Sequence, residues 1–303
     1  MSAPTSAPFG RVLTAMVTPF DSTGALDLQA AAALATHLVD HGHDGLVVCG
    51  TTGESPTVDP DEQRSLLRTV VEAVGDRATV VAGAGTNDTA HSVRLARAGA
   101  EAGADGLLVV TPYYSRPSQD GVLAHVRTVA ASTDLPVMLY DIPGRTGLKL
   151  SPETLARAAE HERIVAVKEA SGDLYAGSWL LRSTDLALYS GDDSLNYAWL
   201  ALGAVGVVSV VGHVAGERLH ELVTAVDKGD LDTAREIDRA LLPAVEAIMN
   251  RAPGVVMVKA ALELAGLLPN RVVRPPHLPA SELQVDELRS DLVVSGLLED
   301  STA

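Results

Sequence analysis

Residues 103–109 read GADGLLV: a glycine suited to end a helix, then a short apolar run. Two further stretches share this pattern, GHDGLVV at residues 42–48 and GAVGVVS at residues 203–209. The first glycine of each suits the left-handed residue that often terminates a helix. The apolar run that follows is typical of a parallel strand covered on both faces. The repeated helix-to-strand junction therefore predicts an alternating α/β fold.

The spacing of these junctions indicates how many units the chain holds. The first two begin 61 residues apart and enclose two strand–helix units, and the last two begin 100 apart and enclose four. Units of about 25–30 residues give eight in all, as in a (β/α)8 barrel. We predict a (β/α)8 TIM barrel with additional C-terminal helices; a doubly wound open sheet is the alternative. The predicted strands cover residues 13–17, 45–49, 79–82, 106–110, 137–140, 164–168, 186–189 and 206–208.

Three segments follow from this layout. Residues 1–10 are predicted to be a disordered N-terminal segment, and residues 11–225 the catalytic barrel. Residues 226–303 are predicted to be a helical extension packed on the barrel, because no Pro/Gly/Ser-rich linker precedes them.

Composition and charge narrow the class of protein. The 303 residues are 47% apolar and carry a net charge of −16, which argues against nucleic acid or an anionic membrane as partner. No apolar run is long enough to span a bilayer, and the N-terminus lacks a signal-peptide pattern. A single cysteine, Cys49, excludes an intramolecular disulfide and suits a reducing compartment. We expect a cytoplasmic protein.

One lysine terminates an apolar strand. The stretch IVAVKEASG, residues 164–172, leads directly into Lys168, whereas the other lysines, Lys149, Lys228 and Lys259, lie in turns or helices. Catalytic groups of barrels lie where strands end. Burial would lower the pKa of this amine and allow it to attack a carbonyl. The alternative is a structural lysine whose ammonium reaches solvent at the barrel mouth.

Other strand ends carry polar groups that suit an anionic carbonyl substrate. The second strand leads into CGTTGES, with hydroxyls and amides that can surround a carboxylate; the fourth into TPYYSRPSQ; and the fifth into YDIPGRTG. An amine, phenols, threonines and a guanidinium on one rim together favour carbonyl chemistry.

Metal and cofactor sites are not expected. His37, His41 and His43 cluster at a helix C-terminus, away from the strand ends, where histidine suits the helix dipole. The GAGTND stretch at Gly83 lacks the third glycine of a dinucleotide fingerprint.

The motifs GTTGES, TPYY, YDIPGRTG and VKEASGD, in this order and spacing, resemble the pyruvate-dependent class I aldolase/lyase superfamily, and within it the dihydrodipicolinate synthase family. The resemblance runs from about Arg11 to the final helices. It implies that Lys168 forms a Schiff base with pyruvate and that Tyr140 transfers protons there. It also implies that Thr51 links Tyr140 to Tyr114 of a neighbouring subunit.

The same resemblance implies the binding residues. Thr51 and Thr52 would hold the pyruvyl carboxylate, Gly191 and Val208 would line the pyruvate pocket, and Arg145 would bind the carboxylate of the aldehyde. The implied reaction condenses pyruvate with L-aspartate 4-semialdehyde, without a cofactor or metal, in a homotetramer built as a dimer of dimers. A 2-keto-3-deoxy sugar acid aldolase or dehydratase is the enzymatic alternative. A barrel that has lost catalysis and serves as a scaffold is the non-enzymatic one.

The resemblance also bears on regulation. Lysine-inhibited members bind free lysine at a subunit interface, and Ser55, Asn87 and Tyr113 stand at matching positions here. Gln63 replaces a frequent histidine, and His91 stands where sensitive members often carry glutamate. Loss of that acid removes a partner for the α-ammonium of lysine, so we predict weak or absent inhibition by L-lysine.

Overall fold

Eight parallel strands form a closed barrel, in chain order, in the computed structural model, which describes residues 6–299. The pairing of the first strand with the last, Leu13 opposite Val208, excludes an open sheet and confirms the predicted (β/α)8 barrel. The strands are β1 (Val12–Ala15), β2 (Gly45–Val48), β3 (Thr79–Gly83), β4 (Gly106–Val110), β5 (Val137–Asp141), β6 (Ile164–Glu169), β7 (Ala187–Ser190) and β8 (Gly206–Ser209).

Helices surround the barrel and continue beyond it. Most begin with a side-chain cap; Ser151, for example, accepts the amide of Thr154 ahead of Pro152, as SPET predicts. The helices are α1 (Leu28–Asp40), α2 (Pro60–Val74), α3 (Thr89–Glu101), α4 (Gln119–Ala130), α5 (Pro143–Thr146), α6 (Pro152–Ala158), α7 (Leu174–Ser183), α8 (Asn196–Leu202), α9 (Gly212–Asp227), α10 (Leu231–Val245), α11 (Gly254–Leu264) and α12 (Glu282–Val294). None of these described helices is long and apolar enough to cross a membrane.

Two hydrophobic cores follow from the alternation of side chains along the strands. One fills the barrel and includes Leu13, Val47 and Val81; the other lies between the strands and the helices. The second core continues into the C-terminal helices through residues such as Leu241 and Leu262. The predicted boundary at residue 225 falls inside α9, so the extension begins with α10.

The N-terminal segment differs from the predicted disorder over residues 1–10. Residues 1–5 lie outside the described residues, but Phe9 is fully buried in the barrel core. Its amide donates to the Tyr189 hydroxyl at 3.2 Å, and a Cβ added to Gly106 would lie 2.3 Å from its ring. The predicted disorder was wrong around Phe9, because burial of its aromatic side chain holds this part of the chain in place. The ring fills the end of the barrel that lies opposite the carboxyl ends of the strands.

Candidate active site

Lys168 lies inside the mouth of the barrel, near the end of β6. It shares the inward orientation of Ala166, pairs in register with Tyr140 on β5 and Tyr189 on β7, and is 4% exposed. Its Nζ lies 4.4 Å from the centroid of the Tyr140 ring. The lysine therefore does not extend its ammonium into solvent, which was the alternative left open by the sequence.

Burial shifts the pKa values of Lys168 and Tyr140 and so decides their protonation states. Desolvation lowers the pKa of Lys168 to about 8; the charge of Asp193 opposes this shift and that of Arg145 adds to it. Near neutral pH a usable fraction of the amine is uncharged, as a nucleophile requires. Burial raises the pKa of Tyr140 to about 12, although Arg145 acts in the opposite direction. Tyr140 therefore stays a phenol that can donate a proton.

Gly191 leaves room for the lysine. A Cβ at Gly191 would lie 2.7 Å from Cγ and 3.0 Å from Cε of Lys168, so any larger residue would displace the side chain. The Gly191 amide donates to the Glu169 carbonyl at 2.7 Å and fixes this approach. Val208 is buried in the barrel core on β8, on the inner face like Lys168.

Asp193 is a functional candidate that sequence reasoning missed. Its buried carboxylate accepts the amides of Val210 (2.8 Å) and Val211 (3.0 Å), the Ser209 hydroxyl and the Asn196 amide. It thus joins the loops after β7 and β8 and places a negative charge near Lys168. The only signal was the paired aspartate in SGDDS.

The loop after β2 presents Thr51 and Thr52 beside the barrel mouth. Its turn is closed by a bond from the Glu54 amide to the Thr51 carbonyl (3.1 Å) and by one from the Thr18 hydroxyl to the Gly53 carbonyl (2.6 Å). Free hydroxyl and amide groups in such a turn can hold a carboxylate without a cation.

Arg145 lies on the short helix α5, and its side chain is exposed. The loop from residue 142 to residue 150 is closed by Asp141, whose carboxyl oxygens accept the Leu150 amide at 3.2 and 3.3 Å. Burial, together with the adjacent Glu169 carboxylate, raises the pKa of Asp141 to about 7. Asp141 therefore helps to fix the loop that carries the guanidinium, a role that its position in the sequence did not reveal.

A cavity of about 440 Å³ opens at the carboxyl ends of β2 to β5. Thr51 and Tyr140 line one side of it; Gln63, His91 and Tyr113 line the other, between α2 and α3. Lys168 and Arg145 are not among the lining residues, so the cavity adjoins the amine without enclosing it.

Tyr114 does not join the other candidates within this chain. Its side chain is 89% exposed, and its backbone holds a φ of +72°, a conformation that costs energy in a non-glycine residue. The fold thus maintains a strained residue whose ring contacts solvent.

Comparison with known proteins shows the family. The model of the dihydrodipicolinate synthetase family matches residues 8–294. The chain is 62% identical to the 4-hydroxy-tetrahydrodipicolinate synthase of Kineococcus radiotolerans, over 96% of this chain and 94% of the relative.

Solved structures agree with this assignment. One is a dihydrodipicolinate synthase from Cyanidioschyzon merolae with lysine bound, with a TM-score of 0.93 and 42% identity over 97% of this chain and all of that one. Another is the chloride-inhibited enzyme from Acinetobacter baumannii complexed with pyruvate, with a TM-score of 0.92 and 31% identity over 96% of this chain and all of that one. The chain belongs to the dihydrodipicolinate synthetase family.

Proposed function

We propose that this protein catalyses the 4-hydroxy-tetrahydrodipicolinate synthase reaction, the condensation of pyruvate with L-aspartate 4-semialdehyde in diaminopimelate and lysine biosynthesis. The buried Lys168 amine, with its lowered pKa and the Tyr140 ring beside it, is the observation that carries the proposal. The names of the relatives, and the pyruvate in the Acinetobacter baumannii structure, support it. The reduced state implied by the single buried Cys49 favours a cytoplasmic location.

The first chemical step forms an imine. The neutral Lys168 amine attacks C2 of pyruvate, and the former carbonyl oxygen leaves as water with the equivalent of the two amine protons, which gives the neutral imine. Protonation of the imine nitrogen then activates it. Tyr140, whose ring lies beside the amine, has the protonation state to supply a proton to the leaving hydroxyl. Thr51 and Thr52 hold the carboxylate during this step. Removal of a proton from C3 then gives the enamine, which attacks the aldehyde carbon.

Arg145 selects the aldehyde in this proposal. A guanidinium presents paired donors that match a carboxylate, which suits a short aldehyde bearing an acid group better than a polyhydroxylated sugar. Its exposed position on the loop closed by Asp141 leaves it available to the second substrate. This feature favours the synthase over a 2-keto-3-deoxy sugar acid aldolase.

Tyr114 supports an assembly in which subunits complete each other's sites. Its exposure and strained backbone are consistent with a ring that enters a neighbouring active site. A second apolar surface lies on α7, where Leu174, Tyr175 and Trp179 are exposed, Tyr175 to 78%. Two separate contact surfaces are what a dimer of dimers requires, and we therefore propose a homotetramer.

Regulation by L-lysine is proposed to be weak or absent. The cavity between α2 and α3 holds His91 where an acid would pair with an α-ammonium. The Gln63 amide already donates to the Gly83 carbonyl at 2.7 Å, and Asp59 in the same wall accepts two amides at the start of α2. Gln63 carries no charge that could replace the missing carboxylate, and Asp59 is already used through Oδ1 to cap α2.

Lys168→Ala should abolish covalent capture of pyruvate. Reduction with borohydride in the presence of pyruvate should add mass to the unaltered protein at Lys168, as peptide mapping would show. The variant should gain none and lose at least about 10³-fold in turnover. Lys228→Ala, at an exposed lysine at the end of α9, is the matched control and should behave like the unaltered protein. An adduct on any other lysine would refute the assignment.

Arg145→Ala should weaken use of aspartate 4-semialdehyde about ten- to a hundredfold in kcat/KM, because charge-assisted bonds contribute about 1.5–3 kcal/mol. The rate of borohydride trapping with pyruvate should change little. Arg145→Lys keeps the positive charge but loses the paired donors of the guanidinium. Its kcat/KM for aspartate 4-semialdehyde should therefore lie between the values of the unaltered protein and of Arg145→Ala. Equal losses in trapping and in aldehyde use would show that Arg145 acts only on the structure.

Mixed assemblies test Tyr114. Tyr114→Phe and Lys168→Ala proteins, each of low activity, should recover partial activity when their subunits exchange, because a hybrid contains sites with both groups. Subunit exchange is followed independently by mass spectrometry of differently labelled chains. Exchange without recovered activity would place Tyr114 in the site of its own subunit.

A titration with L-lysine at saturating pyruvate tests regulation. An unpaired desolvated ammonium costs about 3 kcal/mol, which weakens binding by more than about a hundredfold. Activity should therefore persist at millimolar L-lysine, and His91→Glu should increase sensitivity. Strong inhibition of the unaltered protein at submillimolar L-lysine is the contrary outcome.

A further inference from the structure

Glu54 holds the loop after β2 in shape. Its backbone has a φ of +56°, in the left-handed region that a non-glycine residue occupies only where surrounding contacts stabilise it. Its amide donates to the Thr51 carbonyl at 3.1 Å, and its own carbonyl accepts the amide (2.9 Å) and hydroxyl (3.1 Å) of Thr57. The conformation of Glu54 and that of the threonine loop are therefore coupled.

The side chain of Glu54 is held by the C-terminal extension. Lys259 on α11 donates to Oε1 at 2.6 Å, and the Arg274 amide donates to Oε2 at 2.8 Å. The side chains of Lys259 and Glu54 are 1% and 2% exposed. Lys259 also donates to the Val272 carbonyl at 2.7 Å, so its ammonium is fixed on the side of the extension.

Two cations of the extension lie against one aromatic ring of the barrel. Lys259 Nζ and Arg274 Cζ each lie 4.2 Å from the centroid of the buried Phe20 ring. Arg274 also makes a two-pronged bond with Glu62 on α2, each arm 2.6 Å long. The extension therefore bonds to the threonine loop through Glu54 and to the helix that follows this loop through Glu62.

Stability alone is a weak reason for such an arrangement. Dehydrating both members of a buried ion pair costs about as much as their attraction returns, and apolar residues of similar volume often serve as well. The ion pair instead fixes the orientation of the Glu54 carboxylate, because each of its two oxygens has a defined donor.

We infer that the Lys259–Glu54 ion pair is a positioning device, through which the C-terminal extension orients Thr51 and Thr52 to receive the carboxylate of pyruvate. The inference rests on the proposed function. Lys259 and Glu54 do not line the cavity at the barrel mouth; they act through the threonine loop.

Kinetics of two full-length variants, Lys259→Met and Glu54→Gln, test the inference. Each should raise KM for pyruvate on the order of tenfold, since small displacements of binding groups cost large factors. KM for aspartate 4-semialdehyde, which depends on the Arg145 loop, should stay within about twofold because that loop has separate anchors. A merely structural role would lower kcat through the fraction of active protein and leave both KM values unchanged.

A double variant and a control separate positioning from stability. Glu54→Gln/Lys259→Met leaves no unpaired buried charge, so its urea midpoint should recover while KM for pyruvate stays raised. Arg271→Met removes an ion-paired arginine whose partners, Glu263 and Glu282, both lie within the extension, and should leave KM for pyruvate unchanged.

The outcomes that overturn the inference are distinct from those that overturn the function. An unchanged pyruvate KM in the folded single variants, a KM restored in the double variant, or an equal rise in Arg271→Met would each refute it. If Lys259→Met does not fold, the KM for pyruvate of Glu54→Gln decides the test, because glutamine has the same size as glutamate and can still accept a hydrogen bond. Absence of pyruvate trapping in the unaltered protein would refute the proposed function, whereas normal trapping with unchanged variant KM values would refute only this inference.

Discussion

The dehydration of one amine governs the arrangement at the barrel mouth. Lys168 is held where water cannot solvate an ammonium, so its pKa falls to about 8 and a neutral nucleophile becomes available. Asp193 limits that fall, since it keeps a negative charge nearby without bonding to the amine. Tyr140 provides a face against which the amine packs, and Gly191 provides the space in which the stem extends. Removal of any of these groups would change the balance between charge and reactivity.

The barrel itself was predictable because its signals are local. Apolar runs of four to six residues and glycines at helix ends stand in the sequence as repeated units, and all eight predicted strands overlap observed ones. The position of the candidate site could be predicted from the sequence for a related reason. Parallel strands in a closed barrel all end at one rim, so polar residues at strand ends are brought together by topology alone. Lys168 and Tyr140, adjacent in register, illustrate this.

The features that could not be predicted from the sequence depend on contacts between residues far apart in the chain. Phe9 fills the end of the barrel beneath Tyr189, 180 positions away, and nothing in its own neighbourhood distinguishes it from a flexible terminus. Asp193 and Asp141 resemble ordinary loop aspartates until the amides that they accept are known. Their roles follow from burial, which is a property of the folded chain and not of a short stretch of it.

The separation between Glu54 and Lys259, 205 positions along the chain, has a consequence for the order in which the protein is made. During synthesis the threonine loop emerges from the ribosome early, and its anchoring lysine follows only after the whole barrel has been translated. Until then the Glu54 carboxylate lacks both of its donors, Lys259 and the Arg274 amide, and the loop is held only by its local hydrogen bonds. If the pair positions the loop as inferred, a chain that ends before α11 would bind pyruvate more weakly than the full-length protein, and tight binding would begin only once the last helices are in place.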